Sequence, residues 1–184
     1  LARAGHLAAD GLRRAGLYGA VTAAKRLGLK RLFFGGAARG EGIAPDATAL
    51  VFERPGAPDE WLSYRQLERR ARRLAGRLRA LGVGLESRVG VCLERGPELV
   101  VALLAVLEAG GAYLPLEPAL PAARLALMLA DSRARVLLTR PRWRRKLGSF
   151  SGAVVLAGRQ PASPGLAGGV RVHPESPAYV IYTS

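Results

Sequence analysis

Few side chains in this sequence have the types and spacing that chemistry requires. The single cysteine, Cys92, lies in an apolar stretch, where a thiol usually packs as a small hydrophobe. The two histidines are far apart: His6 is near the start, and His173 stands before Pro174 with no partner in view. One thiol and two separated imidazoles are too few for a disulfide or a zinc site. We therefore predict no catalytic residue and no metal site within these residues.

The charge of the chain raises the alternative of an anionic partner. The formal net charge is +14, and arginine outnumbers lysine 25 to 3. Alanine, glycine and leucine are also abundant, and this bias is typical of a GC-rich coding sequence. The densest basic run, Arg140 to Lys146, holds one aromatic residue, Trp143. Single-strand binding uses repeated aromatics along a basic groove. We predict no nucleic-acid partner and keep a basic nucleic-acid-binding module as an alternative.

The elements that would position these residues begin at Ala44. Residues Ala47–Glu53 read as a strand, Arg54–Glu60 as a turn and Trp61–Leu62 as the returning strand. Ser63 and Gln66 have the spacing of a capping box at the start of a helix. Five apolar residues then fall on one face of that helix. They are Leu67, Ala71, Leu74, Leu78 and Leu81.

Strands and helices alternate through the rest of the chain. The predicted strands are Arg88–Leu93, Ala112–Leu116, Ala134–Thr139, Ala153–Ala157 and Ala178–Tyr182. A helix opened by Pro97 and ended by Gly110-Gly111 is apolar on every side from Leu99 to Leu107, so we expect it to be buried, with Leu103 at its middle. A further helix starts at Pro121. This alternation predicts an α/β fold with a layered, largely parallel sheet and flanking helices.

Three motifs carry a family resemblance. They are LSYRQL at Leu62–Leu67, LEAGGAYLPLEP at Leu107–Pro118 and AYVIYTS at Ala178–Ser184. In this order and at these separations they resemble the first three core motifs of amino-acid adenylation domains in nonribosomal peptide synthetases. These domains belong to a superfamily that also contains acyl- and aryl-CoA ligases and luciferases. The chain departs mildly from that pattern at Glu108 and Glu117, where family members often have lysine and aspartate. We read Glu117 as a surface residue.

The resemblance implies a function and a site. A carboxylic acid, most often an amino acid, would react with ATP and Mg²⁺ to give an acyl-adenylate and pyrophosphate. The acyl group would then pass to the phosphopantetheine thiol of a carrier-protein domain, among neighbouring synthetase modules. Thr183 and Ser184 would be the first residues of the ATP phosphate loop. The resemblance places the substrate-selecting residues and the catalytic lysine after Ser184.

The resemblance also divides the chain. Residues 44–184 would be the N-terminal part of the large subdomain of an adenylate-forming enzyme, truncated at the phosphate loop. Residues 1–43 do not match, and we interpret them as a basic linker or leader that packs poorly against the rest. The chain starts at Leu1 and ends within the third motif, so we expect a fragment that is inactive alone.

The remaining expectations concern location and alternatives. With one cysteine and no apolar run of about 20 residues, we expect a cytoplasmic protein without a membrane partner. An acyl- or aryl-CoA ligase of the same superfamily remains an alternative, and so does a nonfunctional remnant.

Overall fold

The computed structural model describes residues 44–182 apart from residues 55, 149, 159–169, 171, 173 and 174. Several features singled out in the sequence lie outside the described residues. They are the leader at 1–43, His6, His173, Thr183 and Ser184.

Six strands and four helices make up the described part of the chain. In chain order they are β1 (Thr48–Arg54), β2 (Ala57–Ser63), α1 (Tyr64–Ala80), β3 (Arg88–Cys92), α2 (Pro97–Ala109), β4 (Ala112–Pro115), α3 (Ala122–Asp131), β5 (Val136–Thr139), α4 (Pro141–Lys146) and β6 (Ala153–Leu156).

The hairpin of β1 and β2 leads directly into α1. The two strands are antiparallel, with Val51 opposite Trp61. The predicted capping box is confirmed: the backbone N–H of Gln66 donates to Ser63 Oγ at 3.3 Å, and Gln66 Oε1 accepts from the Ser63 N–H at 3.0 Å. Two free N–H groups at the start of α1 are thereby satisfied, so the helix begins at a defined residue.

The other four strands form a parallel sheet in the order β4-β3-β5-β6. Val89 of β3 lies opposite Tyr113 on one side and Val136 on the other. Each crossover therefore returns the chain to the same end of the sheet. As a result, the carboxyl ends of all four strands lie along one edge, and their amino ends lie along the opposite edge. The predicted α/β fold is confirmed.

Helices cover both faces of this sheet. On one face, α1 and α2 pack against side chains such as Val89 and Val136. On the other face, α3 packs against Leu114 and Leu137. The approach of α3 is close, because a Cβ added at Gly90 would lie 2.8 Å from Leu129 Cδ2. Glycine at this position lets the helix lie directly on the sheet.

Helix α2 is buried on most, but not all, of its surface. Gly110 ends the helix as expected, in the left-handed conformation with φ 97°. However, Leu99, Val100 and Leu103 are only partly buried. These three residues share the side of the helix that faces away from the sheet, since neighbours at i+3 and i+4 lie together. The expectation of a helix buried on every side, with Leu103 at its middle, therefore holds for most of the helix but not for the side that carries Leu103.

Other boundaries also differ from the sequence-based expectation. The returning strand β2 starts at Ala57 rather than Trp61, because an edge strand tolerates Pro58. Leu81 is the C-terminal cap of α1 and is 43% exposed, so it does not share the buried face of that helix. The basic run after β5 forms α4, a helix that the pattern did not reveal. None of the described helices meets the length and apolarity that a bilayer-crossing segment requires.

Candidate functional site at the carboxyl edge

The segment from Ala178 to Tyr182 lies beside β4, on the side away from β3. The backbone N–H of Tyr113 donates to Ala178 O at 3.1 Å, and the N–H of Val180 donates to Tyr113 O at 2.9 Å. This pairing is a parallel bridge between Tyr113 and Tyr179, whose rings stack with centroids 5.6 Å apart. Isolated bridge positions at Tyr179 and Tyr182 replace the full strand expected here. The parallel direction at Tyr179 still carries the chain towards the carboxyl edge, where ligands bind in open α/β sheets.

Tyr182 fixes the end of this segment against α3. Its hydroxyl lies 3.3 Å from Met128 O and also bonds the carboxylate of Asp131. Burial, followed by the hydrogen bond that the hydroxyl donates to Asp131, raises the pKa of Tyr182 well above its usual value. The hydroxyl therefore stays protonated and acts as a hydrogen-bond donor. Thr183 and Ser184 follow Tyr182 directly but lie outside the described residues, so their predicted contact with phosphate remains a prediction.

A set of charged side chains joins the loops that follow β3 and β5. Trp143 Nε1 of α4 donates to Glu94 Oε1 at 3.0 Å, and Arg142 forms an ion pair with the same carboxylate. The Arg142 guanidinium also lies 5.1 Å from the centroid of the Trp143 ring. Both residues of α4 therefore hold Glu94, which follows the end of β3.

Two further contacts extend this set of side chains to the neighbouring loops. Arg140 Nη2 donates to Glu98 Oε2 of α2 at 3.1 Å, and Lys146 Nζ donates to Pro118 O at 2.7 Å. Pro118 lies in the loop after β4, so the contacts connect the carboxyl ends of three strands. We call these six side chains the carboxyl-edge network: Glu94, Glu98, Arg140, Arg142, Trp143 and Lys146.

The carboxyl-edge network positions loops rather than presenting free charge. Its two carboxylates each face a guanidinium, and Lys146 is held by a backbone carbonyl. Exposed ion pairs of this kind contribute about 0–1 kcal/mol each. Their value lies in fixing geometry at the strand ends. Three cations of the basic run, Arg140, Arg142 and Lys146, are thus bound within the domain.

Cys92 is not a nucleophile in this arrangement. Its side chain is fully buried, and that burial raises the pKa of the thiol to about 11. Thr139 Oγ1 donates to the backbone carbonyl of Cys92 at 3.0 Å, which ties β3 to β5. Glu117 is exposed, as expected, and accepts the N–H of Ala119 at 3.4 Å. Both residues have structural roles.

Metal ligands do not cluster in the part of the chain that the structure describes. No group of three or more histidine, cysteine, aspartate or glutamate side chains there could hold a metal ion. In phosphate-binding enzymes, Mg²⁺ is usually held by one or two carboxylates, substrate phosphates and water.

Sequence reasoning missed the carboxyl-edge network for an identifiable reason. Glu94 and Trp143 are 49 positions apart, and only the parallel pairing of β3 with β5 brings them together. A usable signal was present in the sequence. Trp143 was the one aromatic within a basic run that directly follows a strand, and a half-buried indole N–H usually finds an acceptor.

Comparison with known proteins finds a family model that matches this chain. A family model described as AMP-binding enzyme matches residues 39–184, most of the chain. The match begins ahead of the boundary at Ala44 that the motifs had suggested.

Two curated relatives are similar over three quarters of the chain. Chondramide synthase cmdD of Chondromyces crocatus is 43% identical over 147 residues, which are 76% of this chain and 4% of the relative. Phosphinothricin tripeptide synthetase PhsB of Streptomyces viridochromogenes is 47% identical over 151 residues, or 76% of this chain and 12% of the relative. The chain thus spans a small part of the proteins it resembles.

A solved structure has the same fold. The crystal structure of the nonribosomal peptide synthetase FmoA3 superposes with a TM-score of 0.71 at 37% identity, covering 90% of this chain and 16% of that one. The same protein bound to α-methyl-L-serine-AMP gives a TM-score of 0.67 at 35% identity, covering 90% and 17%.

Proposed function

The chain belongs to the AMP-binding enzyme family, and from this membership we propose that it is part of an enzyme that activates an amino acid with ATP. The product would be an aminoacyl-adenylate, with pyrophosphate released. The observation that carries the proposal is the family match across every described element, together with relatives named as peptide synthetases. An adenylate of an amino-acid derivative bound to FmoA3 supports the substrate class.

The described residues would contribute positioning to this reaction. The parallel bridge at Tyr179 and the anchor of Tyr182 would direct the following residues to the carboxyl edge. Thr183 and Ser184 would then present hydroxyl and N–H groups to the phosphates of ATP. Bound ATP supplies the α-phosphorus that the substrate carboxylate attacks. The carboxyl-edge network would keep the neighbouring loops fixed while substrate binds.

The later step and the domain division are also proposals. We infer transfer of the acyl group to a phosphopantetheine thiol on a carrier-protein domain, among other synthetase modules and in the cytoplasm. Residues 44–184 would form the front part of the large subdomain, and residues 1–43 a basic linker. Mg²⁺ would accompany ATP, but we assign it no ligand among the described residues.

Amino-acid-dependent exchange of pyrophosphate into ATP tests the proposal. Full-length protein should catalyse exchange with one amino acid or a small related group, and Ser184→Ala should lower the rate at least tenfold. Thr48→Val, at an exposed position of β1, is the control and should leave the rate unchanged. Residues 1–184 alone should give no exchange.

Two outcomes would contradict the proposal and favour one of the alternatives. Exchange that requires fatty or aryl acids, with release as a CoA thioester, would favour the acyl- or aryl-CoA ligase alternative. No exchange with any acid, from a full-length protein with an intact thermal transition, would favour a nonfunctional remnant.

A further inference from the structure

Two cavities meet at the amino edge of the sheet, opposite the candidate site. Their volumes are about 360 and 340 Å³, and both have Arg133 and Arg135 in their walls. The two cavities adjoin each other at these arginines, just before the start of β5. We call the pair of cavities the amino-edge groove, and six of its residues carry the argument: Leu81, Leu85, Glu86, Arg133, Arg135 and Phe150.

The amino-edge groove is positively charged and its charge is not used internally. Arg133 and Arg135 are exposed, and within the described ranges neither guanidinium has an ion pair or hydrogen bond. A third arginine in the wall, Arg88, donates to Ser132 O at 2.9 Å and so holds the end of α3. Glu86 is the acidic side chain in these walls. The groove therefore favours an anionic occupant.

Backbone conformation gives an independent sign that Arg133 is unusual. Helix α3 ends with the Arg133 N–H donating to Ala130 O at 3.0 Å and the Ala134 N–H donating to Leu129 O at 3.3 Å. This is the Schellman arrangement, in which glycine is the favoured residue at the position of Arg133. Arg133 has φ 53° there, at a cost of about 1 kcal/mol relative to a right-handed conformation.

A second non-glycine residue with positive φ lines the same groove. Glu86 has φ 61°, and within the described part of the chain it and Arg133 are the non-glycine residues in this conformation. Such residues cluster at functional sites, where the backbone cost is retained for the side chain. Both charged side chains of this type project from the rim of one groove.

The walls of the groove are apolar as well as basic. Leu81 is 43% exposed and Leu85 is 49% exposed, both in the wall of one cavity. Phe150 and the buried Leu147 line the other cavity. An occupant that covers exposed leucines and pairs with arginines must carry both apolar and acidic groups. Acidic polypeptide has this chemistry, whereas nucleic acid would require more aromatic surface for its bases.

Charge also indicates where the occupant comes from. The 184 residues have a net charge of +14, so a second copy would repel the groove. Residues 1–43 contain an excess of arginine and lysine and are equally unsuitable. We infer that the amino-edge groove binds an acidic, leucine- or valine-containing segment of a neighbouring unit of the same synthetase polypeptide. This inference rests on the proposed function, which places the chain among other modules.

Cross-linking of the full-length protein tests the inference. In Arg135→Lys, a carbodiimide can join the new amine directly to a carboxylate that lies against it. We expect a cross-linked peptide between position 135 and an acidic segment of a neighbouring unit, outside the whole AMP-binding domain, with a yield that falls severalfold when salt is raised, since salt screens exposed charges. A cross-link to the remainder of the same domain would overturn the inference. The matched control is Arg124→Lys, at an exposed position at the other end of α3 that has no described partner. It should give at least tenfold less of this product.

Other results would overturn the inference. A cross-link only to Glu86 would mean that the groove is filled by its own domain, and one to a second copy would mean self-association. Equal yields at positions 124 and 135 would indicate non-specific coupling. Loss of the cross-link on adding a short oligonucleotide, at constant salt, would favour nucleic acid. Pyrophosphate exchange measured on the same samples separates the two proposals: exchange without the cross-link overturns only the docking site, and absence of exchange overturns the proposed function.

Discussion

The two edges of the parallel sheet use arginine in opposite ways. At the carboxyl edge, Arg140 and Arg142 form ion pairs with Glu98 and Glu94, and these ion pairs hold neighbouring loops together. At the amino edge, Arg133 and Arg135 have no described partner, and Arg133 has a backbone conformation that glycine would adopt more easily. The same residue type is therefore structural at one edge and available for binding at the other.

The contrast shows why net charge alone did not reveal function. The sequence places a dense basic run at Arg140–Lys146, yet within that run Arg140 and Arg142 are paired with carboxylates and Lys146 with a backbone carbonyl. Arg133 and Arg135, on either side of Ala134, have no described partner, although nothing in the sequence sets them apart. A charge becomes available for binding only when the fold leaves it without a counter-ion.

The largest expected effect on stability comes from the core of the parallel sheet, which lies between its two edges. Leu137 is fully buried in β5, the strand that starts beside Arg135 and ends before Arg140. Leu137→Ala removes apolar contacts and leaves a cavity, so it should lower the free energy of unfolding by about 2–5 kcal/mol. Thermal melts of the full-length variants would measure this loss.

Arg72→Ala is the control for that experiment. Arg72 is exposed on α1 and paired with Glu68, four residues earlier, so its loss should cost at most about 0.5 kcal/mol. Equal melting temperatures for the two variants would contradict the buried position of β5. Leu103→Ala should fall between them, since Leu103 is only partly buried.

The next largest effect on stability is expected at the carboxyl edge, from the hydrogen bond between Trp143 and Glu94. Trp143→Phe keeps an aromatic ring but removes the N–H that donates to Glu94. We expect a loss of about 1.5 kcal/mol, at the low end for a hydrogen bond to a charged group because the site is partly exposed. Chemical denaturation would measure it, with Arg144→Ala on the exposed side of α4 as control. If Trp143→Phe is as stable as Arg144→Ala, the network does not hold these loops.

A smaller effect of opposite sign is expected at the amino edge. Arg133→Gly relieves the left-handed strain at the end of α3 and should stabilise the protein by ~0.5–1 kcal/mol after the entropy cost of glycine. Arg124→Gly, near the start of the same helix, should instead destabilise it by up to about 1 kcal/mol. Paired denaturation curves would show the difference. A destabilising Arg133→Gly would mean that the arginine contributes contacts that outweigh its backbone strain.

The last expected effect is confined to high pH and comes from Cys92, between the edges. Burial raises the pKa of its thiol from 9.0 to about 11 in the folded protein. Because the folded state retains the proton longer, the stability from this group is complete below pH 9 and is lost as pH rises towards 11. The free energy of unfolding should therefore fall more steeply over that range in the natural protein than in Cys92→Ala. Parallel slopes would mean that the thiol is not buried as described.

The sequence predicted local and periodic features well. The capping box of Ser63 and Gln66, the end of α2 at Gly110 and the alternation that defines a parallel sheet all depend on neighbouring residues, and all were confirmed. Leu81 was assigned to the buried face because it continues a helical period, but the helix ends there and the side chain turns to solvent. Periodicity does not mark where a helix stops packing.

Features that depend on tertiary contacts could not be predicted in the same way. Glu94 and Trp143 meet only through strand pairing, and the conformation of Arg133 follows from how α3 ends against β3. Helix α4 was missed because its six residues are mostly basic and have no apolar stripe. The assignment of Thr183 and Ser184 rested on family resemblance and remains a prediction.

Trapping the activated acid tests the central proposal most directly. Full-length protein would be incubated with ATP, Mg²⁺, the twenty common amino acids and hydroxylamine, which converts an aminoacyl-adenylate into a hydroxamate. Mass spectrometry should find the hydroxamate of one amino acid or a small related group, with AMP formed in equal amount. Unconsumed ATP with every amino acid, or ADP in place of AMP, would contradict adenylation of an amino acid by this protein.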